Sequence, residues 1–166
     1  MNGVSRNAQV AFNLPNFSAW AGILPPKLLL APKDHFTYVA EFLPLGISAT
    51  ATVQTQIEQE SAFVIVGGVR VFTDTSNAAI AGDFAPALVT IRDASSGRLL
   101  MNSAVHIENL FGTAKEPIFW PYPKILKPNT ILSTTLQNLE ATARNYRLGY
   151  LGFKCYRSES MDEFAG

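Results

Sequence analysis

ISATATVQTQIE, residues 47–58, is the stretch on which the reading of this chain turns. Its odd positions are Ile47, Ala49, Ala51, Val53, Thr55 and Ile57, and its even positions begin Ser48, Thr50, Thr52, Gln54 and Gln56. One parity is largely apolar and the other polar. That period of two belongs to a β-strand with one face on a core and one face away from it.

Seven further segments read as strands on the same grounds: residues 35–42, 62–72, 87–93, 98–101, 105–110, 130–138 and 145–156. Clusters of Gly, Pro, Asn and Ser separate them, and no long helical pattern intervenes. The expected fold class is therefore all-β, an antiparallel β-sandwich of about eight strands, jelly-roll-like. Asp93-Ala-Ser-Ser-Gly97 predicts a hairpin between Ile91 and Leu99, because Asp and Ser cap turns and Gly tolerates positive φ. Leu126-Lys-Pro-Asn129 predicts a second reversal. Gly67-Gly68, inside an otherwise apolar strand, predicts a bulge or a close approach of backbone. Pro117-Ile-Phe-Trp-Pro-Tyr-Pro123 is too rich in proline for a central strand and reads as an ordered aromatic surface loop.

Residues 1–34 have no sustained periodicity and contain Pro15, Pro25, Pro26 and Pro32, so an extended N-terminal arm is expected ahead of a sandwich domain at 35–157. Phe12, Leu14, Phe17, Trp20, Leu28, Leu29 and Leu30 are too many large apolar side chains for a solvated linker. They read as partner-binding residues, packed either on an open edge of the chain's own sandwich or on a neighbouring subunit. Residues 158–166 form a short charged tail carrying Met161 and Phe164.

The charge balance is even, with 13 basic and 13 acidic residues, so neither nucleic acid nor an anionic membrane is the expected partner. Charged residues are 16% of the chain, against about 25% in an average protein. Ser, Thr, Asn, Gln and Ala take those places, a surface suited to facing other protein. No run reaches the roughly 18 apolar residues of a membrane span, and the first residues lack the pattern of an export signal. Cys155 is the single cysteine, which removes internal disulfides and reads as a small buried apolar residue in an aromatic-rich strand.

Catalytic patterns are missing. His35 and His106 are far apart in sequence, and neither sits in a two-ligand metal motif. Asp74, Asp83 and Asp93 could serve calcium, but Asp74-Thr-Ser-Asn77 lacks the ligand spacing of a calcium loop and reads as turn capping. No Gly-x-Ser-x-Gly elbow or phosphate loop occurs. No catalytic residue, metal or cofactor is therefore expected. Phe119, Trp120 and Tyr122 are the one plausible platform for a ligand or partner; the same rings could instead cap the core or fill an interface.

Asp83-Phe84, Val89-Thr-Ile-Arg-Asp93, Ser96-Gly-Arg-Leu-Leu-Met-Asn102, Asn109-Leu-Phe-Gly-Thr-Ala114, Leu126-Lys-Pro-Asn-Thr130, Asn145-Tyr-Arg-Leu148 and Gly152-Phe-Lys154 together make the second half of the chain resemble small β-sandwich virion proteins of tailed bacteriophages. The first 60 residues do not share in this. The resemblance implies a non-enzymatic capsid cement or decoration protein, located in the virion after assembly in the host cytoplasm. Such a protein binds and cross-links major capsid protein subunits on the outer surface of a phage head, or contacts other virion proteins, as a homo-oligomer. The alternatives are a head-tail connector or tail component and a carbohydrate- or receptor-binding β-sandwich module using the aromatic loop.

Overall fold

The computed structural model describes residues 24–25, 33–80 and 84–156. Among these described residues nine strands run in order: β1 (Lys33–Leu45), β2 (Thr50–Gln56), β3 (Ser61–Thr73), β4 (Ala87–Asp93), β5 (Arg98–Leu99), β6 (Val105–His106), β7 (Ile118–Leu126), β8 (Ile131–Asn138) and β9 (Arg144–Tyr156). One sheet has the order β1-β9-β3-β7; the other has β2-β8-β4, with β5 and β6 both pairing along the far side of β4. Every strand pairing is antiparallel.

Counting β5 and β6 as one broken edge strand, the first four strands pair with the last four in reverse order: β1 with β9, β2 with β8, β3 with β7, and β4 with the β5/β6 edge. A long hairpin folded over on itself in this way is a jelly roll. The all-β sandwich expected from the sequence is thus the observed fold.

The core lies between the two sheets because inward positions recur at every second residue. In β4, Ala87, Val89 and Ile91 are buried. In β8, Leu132, Thr134, Leu136 and Asn138 are. The other sheet sends in Tyr38, Ala40 and Phe42 from β1, Phe63 and Ile65 from β3, and Tyr146, Leu148 and Tyr150 from β9. Tyr38 meets Phe63 edge-on at 4.8 Å between ring centres, and Phe111 meets Tyr150 at 5.4 Å.

The stretch that suggested the fold behaves as an edge strand. Thr50, Thr52, Gln54 and Gln56 are exposed, whereas Ala51 and Val53 are half-buried and Thr55 and Ile57 buried. Ile47 departs from the expectation. It is exposed, since Ser48 has φ 49° and the turn closed by Ala49 N–H on the Gly46 carbonyl precedes the strand. Because Val53 is half-buried while Leu136 on β8 is fully buried, Leu136→Asp should lower the melting temperature much more than Val53→Asp. Similar losses in a thermal melt would contradict the edge position of β2.

Three further expectations need correction. Residues 105–110 are not one strand: after β6 the chain makes a 3-10 turn, Ile107–Asn109, with both Leu110 and Phe111 N–H groups bonded to the Ile107 carbonyl. An extended ribbon would put Asn109 on the same side as Ile107 and Phe111, and the turn buries the two apolar residues while Asn109 stays exposed. Strand β5 ends at Leu99, earlier than residue 101.

The aromatic segment expected as a loop is part of strand β7. Proline is tolerated there because β7 is the outermost strand of its sheet. The ladder also jumps, from Ile65 opposite Lys124 to Gly67 opposite Phe119, so Pro121 and Pro123 fall where no regular ladder bond is required of them.

The same irregularity confirms the reading of Gly67-Gly68. A Cβ on Gly67 would lie 2.3 Å from the Ile118 carbonyl oxygen, and one on Gly68 2.6 Å from the Phe111 ring. The two expected reversals are present as well. Asp93 accepts from the Ser95 and Ser96 N–H groups and Gly97 has φ 71°, while Asn129 has φ 63° beside a Thr130 N–H bond to the Lys127 carbonyl.

Candidate contact surfaces

The outer face of the β1-β9-β3-β7 sheet carries a second apolar cluster. Alternation along β3 turns Val64 and Val66 away from the core, and alternation along β9 does the same for Phe153 and Cys155. These four and Leu24 are buried together, with Ala62, Ile125 and Leu151 partly buried around them. Cys155 is thus the small buried apolar residue that was expected, and Leu24 ties the segment ahead of β1 to this face. The arm residues Phe12, Leu14, Phe17, Trp20, Leu28, Leu29 and Leu30 lie outside the described residues, as do Asp83, Arg157 and the tail 158–166.

Farther along the same face the apolar surface continues, not covered by any of the described residues. Val39, Gly149 and Val69 stand in one cross-strand row, and Glu41, Arg147 and Val71 in the next. Val39 is 47% exposed and Val71 44%. A Cβ on Gly149 would meet Val69 at 2.9 Å and Thr37 at 3.1 Å, so glycine lets those side chains close over the middle strand. The Glu41–Arg147 ion pair, 3.0 Å, limits this strip on one side, with Arg147 also donating to Asn77 Oδ1.

The opposite sheet presents a different outer face. Thr52, Thr135 and Thr90 form one row, Gln54, Ser133 and Arg92 the next, and Thr50, Gln137 and Leu88 a third. The hydroxyls of Thr52 and Thr135 are hydrogen-bonded at 2.8 Å. Arg92 is the single charge among these nine residues, so the face offers mainly neutral hydrogen-bonding groups.

The aromatic trio is divided by the structure. The Trp120 indole N–H donates to the Leu110 carbonyl at 3.0 Å and the ring packs partly against the core. Tyr122 is 74% exposed and Phe119 is at the margin of exposure. Trp120 therefore anchors β7, leaving Tyr122 as the most available ring of the three.

Two ion pairs, Arg70–Glu108 and Lys154–Glu58, hold largely buried cations in the sandwich. Glu108 accepts from Arg70 Nη2 at 2.5 Å through one oxygen and from the Ala85 N–H at 2.7 Å through the other. The Lys154 ammonium sits 3.7 Å from the centre of the Phe36 ring and donates to Glu58 at 2.6 Å. Burial alone would lower its pKa, but the Glu58 carboxylate holds it above the ordinary lysine value.

Asp74 accepts from the Ser76 hydroxyl and the Ser76 and Ala78 N–H groups, which hold its carboxyl below the ordinary value; it caps a turn as expected. At Asp93, burial pushes the pKa up, and the Ser96 hydroxyl and the Ser96 and Ser95 N–H groups outweigh it, leaving the pKa lowered. His35 packs edge-on to Phe153 and His106 stacks on Phe84. Among the described residues no three His, Cys, Asp or Glu side chains are grouped to hold a metal ion, and no helix is long and apolar enough to cross a membrane.

Sequence reasoning missed the strip at Val39, Val69 and Val71. Its signal was present in Val69 and Val71, two residues apart on one strand, but which side of β3 they take depends on the bulge at Gly67.

No family model matches the chain, and no curated protein matches it. Among solved structures it aligns with a structure of infectious bursal disease virus, Gt strain, at 18% identity over 74% of this chain and 31% of that one, with a TM-score of 0.27. It also aligns with the crystal structure of the infectious bursal disease virus VP2 subviral particle, at 13% identity over 79% of this chain and 43% of that one, again with a TM-score of 0.27. The chain spans less than half the length of either of those chains, and a likeness of that degree carries no weight for its function.

Proposed function

We propose that this chain is a non-enzymatic virion structural protein that binds and cross-links major capsid protein subunits on the outside of a phage head. The observation that carries the reading is the apolar outer face of the β1-β9-β3-β7 sheet. One end buries Leu24, and the other leaves Val39 and Val71 open. Contiguous exposed apolar surface on a protein of low charge is a contact surface.

The arm supplies the second contact. It carries Phe12, Leu14, Phe17 and Trp20 and joins the sandwich at a buried residue, so a partner that holds the arm also holds the domain. Many copies, each making a modest contact across subunit boundaries, would brace a shell collectively. The remaining carboxylates and amines described above are committed to capping and ion pairing, which fits a protein that holds rather than reacts.

Removing residues 1–23 tests this. The truncated chain should keep its β-sheet circular dichroism and lose its ability to co-sediment with particles made by the cell that encodes it. Mass-spectrometric counting of the intact protein should find hundreds of copies per particle, on the multivalent reading. Undiminished particle binding by the truncated chain would remove the arm from the mechanism; about a dozen copies would place the protein at a ring or vertex instead.

A further inference from the structure

The two sheets have four edges, and three are protected against further strand pairing. Strand β1 carries Asp34, Glu41 and Pro44, and its register shifts between Phe42 and Leu45. Strand β7 carries Pro121 and Pro123 and is bulged. The far side of β4 is met by β5 and β6, two residues each. Charges, prolines, bulges and short strands are the devices that stop sheets from joining edge to edge.

Strand β2 has none of them. Thr50-Ala-Thr-Val-Gln-Thr-Gln56 contains no charge and no proline, and all seven residues pair with β8 in unbroken register. Alternate residues of an antiparallel edge strand turn their N–H and C=O groups away from the sheet. Among the described residues, the backbone of β2 is paired with β8 alone.

We infer that β2 is a homodimerisation edge: it pairs antiparallel with β2 of a second copy about a twofold axis through Val53, joining two sheets into one. The strand is its own complement. Pairing centred on Val53 sets Thr50 opposite Gln56, Ala51 opposite Thr55 and Thr52 opposite Gln54, so no like charges meet. Ala51 and Val53, half-buried in the single chain, gain the cover they lack. One strand pair is a small interface, which makes the dimer weak in isolation, with a Kd on the order of 10 μM. This inference does not depend on the particle-binding reading and can fail or stand separately from it.

The test uses two double variants of the full chain in sedimentation-velocity and light-scattering measurements across about 1 to 100 μM. Wild type should shift from monomer to dimer over that range. Thr52→Lys with Gln54→Lys places like charges opposite one another on both sides of the axis, and should weaken the dimer at least about tenfold. Thr52→Lys with Gln54→Glu places opposite charges there and should keep it. Both variants lose the Thr52 hydroxyl and alter exposed positions, so a general effect on folding would appear in both melting curves. A wild type that stays monomeric overturns the inference, as does an equal effect of the two variants on assembly, whether both dimerise or both fail to.

Discussion

Asn138→Ala should lower the unfolding free energy by roughly 3 to 5 kcal/mol, the largest loss expected from a single polar side chain here. Asn138 is fully buried at the end of β8. Its Nδ2 donates to the carbonyls of Gly46 at 3.0 Å and Thr142 at 2.8 Å, with a longer approach to that of Leu45. Its Oδ1 accepts from the Glu140 N–H and from the Tyr146 hydroxyl, both at 2.9 Å. One side chain thus joins the β1–β2 turn, the β8–β9 turn and the core face of β9.

Alanine strands a buried tyrosine hydroxyl, takes the side-chain donor from the Thr142 carbonyl and leaves the Gly46 carbonyl with the Ala49 N–H alone. Thr134→Val is the comparison, because Thr134 makes one buried hydrogen bond, 2.6 Å to the Tyr150 hydroxyl. Its cost should be roughly 1 to 2 kcal/mol. At about 2–4 °C per kcal/mol for a domain of this size, thermal melts should place Asn138→Ala roughly 6 to 20 °C below wild type. A melting temperature within a few degrees of the Thr134→Val value would show that the turns do not rely on Asn138.

Glu108→Ala should cost roughly 3 kcal/mol or more, through a different mechanism. Arg70 lies on β3 with its side chain only 6% exposed, and Glu108 on the 3-10 turn is its ion-pair partner. The second Glu108 oxygen holds the Ala85 N–H at the approach to β4. Alanine removes the anion from beside a buried guanidinium and an acceptor from a buried N–H.

Glu108→Gln should be milder, since the amide oxygen can still accept from Ala85. Arg70→Leu in that background should recover part of the loss, because the desolvated cation has gone. Chemical denaturation of the two single variants and the double measures the coupling. Additivity within about 0.5 kcal/mol would mean that the pair does not act as a unit.

What the sequence by itself determined is the fold class and most of the strands. Alternation at residues 47–57, the Asp93–Gly97 and Leu126–Asn129 turns and the Gly67-Gly68 irregularity are local signals, each fixed by the geometry of a few consecutive residues. The strands missed or misplaced are those in which local preference was overruled. Proline argued against a strand at 118–126, yet an edge with a jump in register needs no ladder bond at Pro121 or Pro123. Parity suggested that Ile47 was buried, yet a turn at Ser48 releases it.

The tertiary structure alone decided which positions are surfaces. Val39, Val69 and Val71 form a strip because Gly149 stands between Val39 and Val69 in the ladder, a neighbour relation across more than a hundred residues of chain in the case of β1 and β9. Strand β2 is an open edge because β8 takes one of its sides and nothing among the described residues takes the other. Periodicity reports that a strand has two faces. The long-range pairing of the jelly roll determines whether each face meets core, a second cluster or solvent, and that information resides in no single stretch of the chain.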